Sequence, residues 1–446
     1  MKRIFTLISL SLVMLSCGED DYYPIESSLD ADLKKQLIEV SGGKGLGYFI
    51  LPESDAFDEI PQDPKNPITP AKVQLGKLLL HETALGQVPK IDLMKGTYSC
   101  ASCHQADAGF SSGLRQGIGE CGVGFGFRGE SRTINKSVPV DSVDIQPLRS
   151  PTLLHVAYQE VMLWNGQFGG TGINTGTETN WGTIPENYLG YQGVEVQAIK
   201  GQGVHRLIID ADLAESLGYK NLFDSAFPEV SVNERYSSLY AGLAIAAYER
   251  TLLANQSPWQ RWLKGETEAL TMEEKQGVKV FFGEGRCYEC HTGPALSDMN
   301  FYAFGMGDFD NSDGAVVLNE VDMDAIKKGR GGFTKKASDE YKFKTPTLYN
   351  MIDNGFYGHG GTFTSVKEVI HYKNVGIPQN KQVPLQNMAP QFGHLYLTDT
   401  QIESLTQFLE NGLRDPNLKR YVPEALNSGN CFPNNDEQSQ LDLNCS

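Results

Sequence analysis

Two pentapeptides, Cys100-Ala-Ser-Cys103-His104 and Cys287-Tyr-Glu-Cys290-His291, define the chemistry open to this chain. Each is a C-x-x-C-H segment, the attachment pattern of c-type haem. Two thiols add across the two vinyl groups of one porphyrin, and the two residues between them match the vinyl separation. The histidine that follows lies under the iron as its fifth ligand. A zinc site would need two further ligands beside each half, and the sequence offers none. Loose cysteines or a disulfide would leave the adjacent histidines unexplained. Only 8 Cys and 8 His occur in 446 residues, so two such coincidences argue for two covalently bound haem c groups and a redox role.

The remaining cysteines bear on targeting and on the tail. Lys2 and Arg3 precede an apolar run, Ile4 to Leu15, too short to persist as a membrane span. The run closes on Met14-Leu15-Ser16-Cys17, which resembles a bacterial lipoprotein box with Cys17 as the lipidated residue; an ordinary cleaved signal is the alternative. Gly18-Glu19-Asp20-Asp21 resembles the acidic export tag of surface lipoproteins. Nothing later is long and apolar enough to span, so the lipid is the one anchor implied, in the periplasm or cell envelope and more readily at the outer membrane. Export agrees with the haems, whose attachment is completed outside the cytoplasm. Cys431 and Cys445 could close the tail, adding about 3 kcal/mol on the chain-entropy account. A bridge from Cys121 to the tail competes with that pairing, and the sequence leaves both open. A net charge of −17 argues against nucleic acid and anionic membrane surfaces as partners and suits a basic electron donor.

The elements that must position these groups are mostly helices. A short helix is expected around Asp30–Glu39 in a tether of residues 18–60, after the signal segment 1–17. Pro61, Pro64 and Pro67 mark a loop, then Thr69-Pro70 caps a helix over Ala71–Leu80. Residues 109–150 read as Gly-rich loop, and 151–164 and 232–263 read as helical. Thr271-Met-Glu-Glu274, Ser365-Val-Lys-Glu368 and Thr398-Asp-Thr-Gln401 are capping boxes. The first starts a helix running to Phe282, and the third starts the last helix, Asp399–Glu410, stopped by Gly412. The order helix, haem loop, long loop, closing helix occurs twice. The expected fold is mainly α, with two c-type cytochrome-like domains carrying long Gly-rich loops, 61–265 and 266–425, followed by a tail, 426–446.

Beyond the two pentapeptides, Leu75-Gly76-Lys77-Leu78-Leu79, Ser150-Pro-Thr-Leu153, Leu163-Trp-Asn-Gly166, Glu274–Phe281, Thr292-Gly-Pro294, Lys344-Thr-Pro-Thr-Leu-Tyr-Asn350 and Tyr357-Gly-His-Gly-Gly361 follow in fixed order. On these segments, which span most of 65–415, the chain resembles the bacterial dihaem cytochrome c peroxidases and their MauG-type relatives. The resemblance implies a peroxidatic N-terminal haem, a C-terminal relay haem, and a tryptophan between them, here Trp164. It also implies a distal acid/base to move a proton between the peroxide oxygens.

Departures from the family pattern fall at informative positions. The distal histidine of the family maps near Glu120 in Gly117-Ile-Gly-Glu120, where there is no His, so the first iron would have an open sixth position; His81 or His155 could supply a ligand instead. Gln197-Ala198 matches a family pair, yet the glutamate expected ten residues on is Leu207. His205 is the nearest group able to shuttle a proton near neutral pH, with Glu195 as second candidate. The relay methionine, counted from His359, falls on Lys373. Tyr372, His371 or the more distant Met388 is then the expected sixth ligand of the second haem, and Tyr or His would lower its potential relative to Met. The asparagine of the family's bridging Ca²⁺ site maps near Arg149, whose guanidinium could replace the cation's charge. The resulting expectation is an exported peroxidase reducing H₂O₂ with electrons from a small cytochrome c or cupredoxin. The alternatives are a MauG-type oxidase that withdraws electrons from Trp or Tyr of a partner protein, and a non-enzymatic electron-transfer cytochrome.

Overall fold

The computed structural model describes residues 28–309 and 323–445. The signal segment and Cys17 lie outside the described residues. The protein is mainly helical. Among the described residues, paired strands are confined to two antiparallel two-residue pairs, Gly122–Val123 with Thr133–Ile134 and Phe301–Tyr302 with Phe343–Lys344. No described helix is long and apolar enough to cross a membrane.

The capping chemistry sets the helix starts as expected. Thr69 Oγ1 accepts from the Lys72 amide at 3.3 Å and Pro70 opens the helix Pro70–His81. Thr271 and Glu274 cap Met272–Phe281 reciprocally, as do Ser365 and Glu368 for Val366–Val375 and Thr398 and Gln401 for Asp399–Gln407. The last of these continues as a π turn, Phe408–Gly412.

Two buried cores organise the chain. One gathers Leu75, Leu79, Val194, Val196, Ala244 and Tyr248, where the helices Pro70–His81, Gly193–Val204 and Ser238–Arg250 meet. The other gathers Leu33, Phe49, Trp259, Val278, Phe281 and Phe408 around Met272–Phe281 and Asp399–Gln407. Each core depends on one glycine at a close helix crossing. A Cβ on Gly76 would lie 2.0 Å from the Ala244 carbonyl oxygen, and one on Gly277 would lie 2.2 Å from that of Ser404. The repeated element order therefore has a repeated packing device.

Four expectations need correction. The helix expected around Asp30–Glu39 forms as Ser28–Val40, but from Ser28 on the segment is no tether: the helix buries Leu29, Leu33 and Leu37, and Asp30, itself buried, pairs with Lys275 at 2.9 Å and accepts from Trp262 Nε1 at 2.7 Å. Residues 151–164 are not a helix. Only Val156–Tyr158 makes a 3₁₀ turn, because His155 and Leu163 have φ of 61° and 69° and the amides of Leu153 and His155 donate to distant carbonyls, Phe110 and Leu252. The 232–263 segment is three helices, Val232–Arg235, Ser238–Arg250 and Pro258–Leu263, the last started by Ser257 and Pro258. Asp399–Gln407 is not the last helix, since the tail adds Glu437–Leu443, capped by Asp436. The tail is closed by a Cys431–Cys445 disulfide, and Cys121 is a buried free thiol.

Candidate active site

The first C-x-x-C-H segment forms a 3₁₀ turn, Cys100–Ser102, fixed from both sides. The Ser99 amide donates to Ser102 Oγ at 3.0 Å. Ser99 Oγ donates to the Pro433 carbonyl at 2.9 Å and Ser102 Oγ to Asn434 Oδ1 at 2.5 Å, so the disulfide-closed tail braces the turn. His104 Nδ1 faces the Phe110 carbonyl at 3.3 Å, which directs Nε2 away as the free ligating nitrogen. Burial, with His205's charge a smaller contributor, lowers the His104 pKa to about 4 and keeps the imidazole neutral. Gly117 lies over the thiol of Cys103, where a Cβ would approach Sγ to 2.7 Å.

The second segment repeats the design. Cys287–Glu289 is a 3₁₀ turn entered through Arg286 at φ 52°. His291 Nδ1 faces the Leu296 carbonyl at 2.9 Å, and burial lowers its pKa to about 4. Cys287, Cys290 and His291 open onto a cavity of about 250 Å³, partly open to solvent and walled by Leu348, Ile370, Leu405 and Leu409.

Two buried cations in that wall test whether a haem fits. Arg149 and Lys344 are 4% and 7% exposed, and among the described residues neither pairs with a carboxylate. Arg149 donates to the Leu114 and Ser112 carbonyls at 2.9 and 3.1 Å, and burial pulls its pKa to about 10. Lys344 donates to Gln159 Oε1, and burial pulls its pKa to about 7. A buried cation without a counter-charge is costly. An apolar cavity bearing two thiols, a free imidazole nitrogen and two such cations suits a porphyrin with carboxylate arms. Among the described residues no three His, Cys, Asp or Glu side chains gather as a metal site.

Trp164 stands where the halves meet. Its Nε1 donates to the Arg149 carbonyl at 2.8 Å, its carbonyl accepts from the Lys344 amide at 2.8 Å, and its ring meets the edge of His359 at 6.3 Å. It lines the second cavity.

The first half carries a carboxylate–imidazole pair. His205 caps the end of Gly193–Val204, and its Nδ1 lies 2.7 Å from Asp144 Oδ2. Arg206 Nη2 is 3.7 Å from the same oxygen. Burial alone would lower the His205 pKa, but the charge and hydrogen bond of Asp144 outweigh it and the net shift is upward. Burial alone would raise Asp144, and His205 with Arg206 brings it below the usual carboxylate range. Nδ1 thus holds its proton against Asp144, and Nε2 is the ring nitrogen outside that pair. On the same helix Gln197 presents a buried Oε1 with no hydrogen-bond partner among the described residues, an acceptor suited to a bound donor.

The other candidate side chains make contacts of their own. Glu195 is fully buried and held by Arg250 at 2.9 and 2.6 Å, so it has no free carboxylate for proton transfer. Glu120 is bound by the Ile91 amide and Arg206. Both nitrogens of His155 are engaged: Nδ1 bonds Thr347 Oγ1 at 2.9 Å and Nε2 accepts from the Ala254 amide at 3.0 Å. His81 is packed against Tyr248 and Phe432 with Nδ1 on the Lys77 carbonyl. Tyr372 and Met388 do not line the second cavity, and neither does the exposed His371; Tyr372 Oη donates to the Phe304 carbonyl at 2.6 Å. Lys373 lines it instead. Asp144 and Lys344 carried no sequence signal of a role, and Lys373 was reached only by counting from His359.

The sequence model of the di-haem cytochrome c peroxidase family matches residues 70–268. A methylamine utilization protein MauG of Methylorubrum extorquens is 27% identical over 327 residues, covering 73% of each chain. A cytochrome-c peroxidase IdrP1 of Denitromonas iodatirespirans is 27% identical over 343 residues, 73% of this chain and 78% of that one. A solved MauG-like protein associated with microbial copper homeostasis shares the fold, with a TM-score of 0.55 at 22% identity over 82% of this chain and 95% of that one.

Proposed function

We propose that this oxidoreductase is a member of the dihaem cytochrome c peroxidase and MauG family, to which it is similar, and that it reduces H₂O₂ to water with electrons from a small cytochrome c or cupredoxin. The half over 61–265 is the peroxidatic unit and the half over 266–425 the relay. Cys100, Cys103 and His104 would hold one haem, which would supply the redox chemistry on peroxide, and Cys287, Cys290 and His291 would hold the other, which would relay electrons. Each peroxide takes two electrons and two protons and leaves as two waters. His205 Nε2 takes the proton from one peroxide oxygen and returns it to the leaving oxygen, while Asp144 fixes the Nδ1 tautomer. Gln197 Oε1 accepts a hydrogen bond from the bound peroxide or its water. Trp164 bridges the two halves along the electron path. Arg149 takes the place of the bridging Ca²⁺, its guanidinium occupying the carbonyls of Leu114 and Ser112. The protein acts outside the cytoplasm, held to a membrane through lipid on Cys17.

The observation that carries this reading is the Asp144–His205 pair in the half that carries His104. Its test is peroxide-dependent oxidation of a reduced small cytochrome by H205A. A loss of 10²–10⁴ in turnover with both haems retained is expected, and turnover within a few-fold of the parent refutes the assignment.

One observation favours a MauG-type oxidase. Lys373, not a methionine, occupies the counted relay position, and a strongly donating ligand there lowers the potential. In that reading the electrons come from Trp or Tyr of a partner protein. Peroxide consumed without oxidation of any small redox donor, but with new oxidised or cross-linked residues on a co-purifying protein, would select it.

A further inference from the structure

We propose that the Lys373 amine is the sixth ligand of the second haem, across the ring from His291. The proposal rests on the reading that Cys287, Cys290 and His291 hold that haem, but not on any peroxidase activity.

The helix Val366–Val375 turns one stripe toward the cavity: Val366, Val369, Ile370 and Lys373, the i, i+3, i+4, i+7 pattern of a buried face. Three positions are aliphatic, and the fourth is a primary amine aimed into an apolar space. A lysine there would ordinarily reach solvent or a carboxylate. Among the described residues no carboxylate pairs with Lys373. Its Nζ lies 4.3 Å from the Phe304 ring centroid and makes one long bond, 3.5 Å, to the Gln391 carbonyl. Lys373 lines the same cavity as Cys287, Cys290 and His291.

The neighbours on the same helix are committed elsewhere. Tyr372 Oη is held between the Phe304 carbonyl at 2.6 Å and the Gln379 amide at 3.4 Å, and His371 is on the exposed side. Two thioethers, Met306 and Met351, do line the cavity and are the competing ligands. Met306 Sδ is packed under the His359 loop, within 3.3 Å of where a Gly358 Cβ would lie. A neutral amine is a strong σ donor of the reach needed, and it would hold the relay iron low-spin at a lower potential than a thioether would.

The experiment uses the full-length protein carrying both haems, oxidised and without peroxide. Optical, near-infrared and paramagnetic resonance spectra are recorded for the parent and for K373M, K373R and M306L, with two haems per chain checked by mass. The parent is expected to show one low-spin nitrogen–nitrogen-ligated haem and no methionine–iron charge-transfer band. K373R should turn the second haem high-spin and open it to added imidazole, and K373M should raise its reduction potential. M306L should change neither. If K373R keeps the parent's low-spin spectrum, or M306L abolishes it, Lys373 is not the ligand. Should a variant fail to load haem, the parent spectrum decides, since a methionine–iron band in it overturns the proposal. Failure of the peroxidase reading would instead appear as absent turnover with these spectra intact.

Discussion

Replacing Glu195 by alanine is expected to cost about 3–5 kcal/mol of stability without entering the chemistry. Both members of the Glu195–Arg250 pair are fully buried, with contacts at 2.9 and 2.6 Å. Removing one partner leaves the other as an uncompensated buried charge, which is where that magnitude originates. Arg250 retains the Pro61 carbonyl and Gln192 Oε1, both at 3.1 Å, but neither carries charge. Glu249 adjoins the pair, and burial together with the charge of Glu195 pushes its pKa to about 8. Without Glu195, Glu249 ionises more readily and partly answers Arg250, which places the loss nearer the lower end. For a chain of 446 residues the unfolding entropy is about 0.9 kcal/mol/K, so Tm should fall by about 3–5 °C. Thermal unfolding followed by far-ultraviolet circular dichroism reads this, with peroxide turnover per folded haem measured alongside. The double variant E195M/R250M removes both charges and should recover most of the loss. An E195A protein that unfolds within 1 °C of the parent, yet turns over about 10²-fold more slowly, would show that Glu195 serves the proton chemistry and that the structural reading is wrong.

Three further outcomes are expected. In D144N the His205 pKa should fall, because the charge that holds it up is gone, and the His205 limb of the pH–rate profile should move to lower pH. The pair's contribution to stability has the same logic: the His205 part is complete below about pH 6.5 and lost as pH rises through the raised folded value, while the Asp144 part is present above about pH 3.9 and lost as pH falls through the lowered one. D144N should flatten both limbs of urea stability against pH. Removing the Cys431–Cys445 bridge in C431S/C445S should cost about 3 kcal/mol and speed amide exchange in the braced turn at Ser99–Cys103. Gly76→Ala should be strongly destabilising, at the upper end of the roughly 1–3 kcal/mol of overpacking, because its Cβ would meet the Ala244 backbone at 2.0 Å; Gly203→Ala, with nothing within 4 Å, should be neutral or slightly stabilising.

What the sequence made legible is what is encoded locally. Thr69-Pro70 and the three capping boxes started helices where expected, since a cap is satisfied within four residues. The two C-x-x-C-H turns fall in the same class. The stretch 151–164 misled because its apolar spacing is that of a buried segment, and burial alone does not select helix. Leu153, Leu154, Val156 and Val161 are all buried, but the backbone reaches them through positive φ at His155 and Leu163 and through bonds to Phe110 and Leu252. The imidazole–carboxylate pair was half legible for the same reason. His205 could be found by its distance from Gln197, whereas Asp144, which fixes its tautomer, lies 61 residues away in a loop without period. For the second haem the informative signal was a misfit. On a helix whose stripe toward the cavity reads Val366, Val369 and Ile370, an amine at Lys373 that no carboxylate pairs among the described residues is the departure from pattern, and its place in the cavity wall is what the proposed ligand role answers.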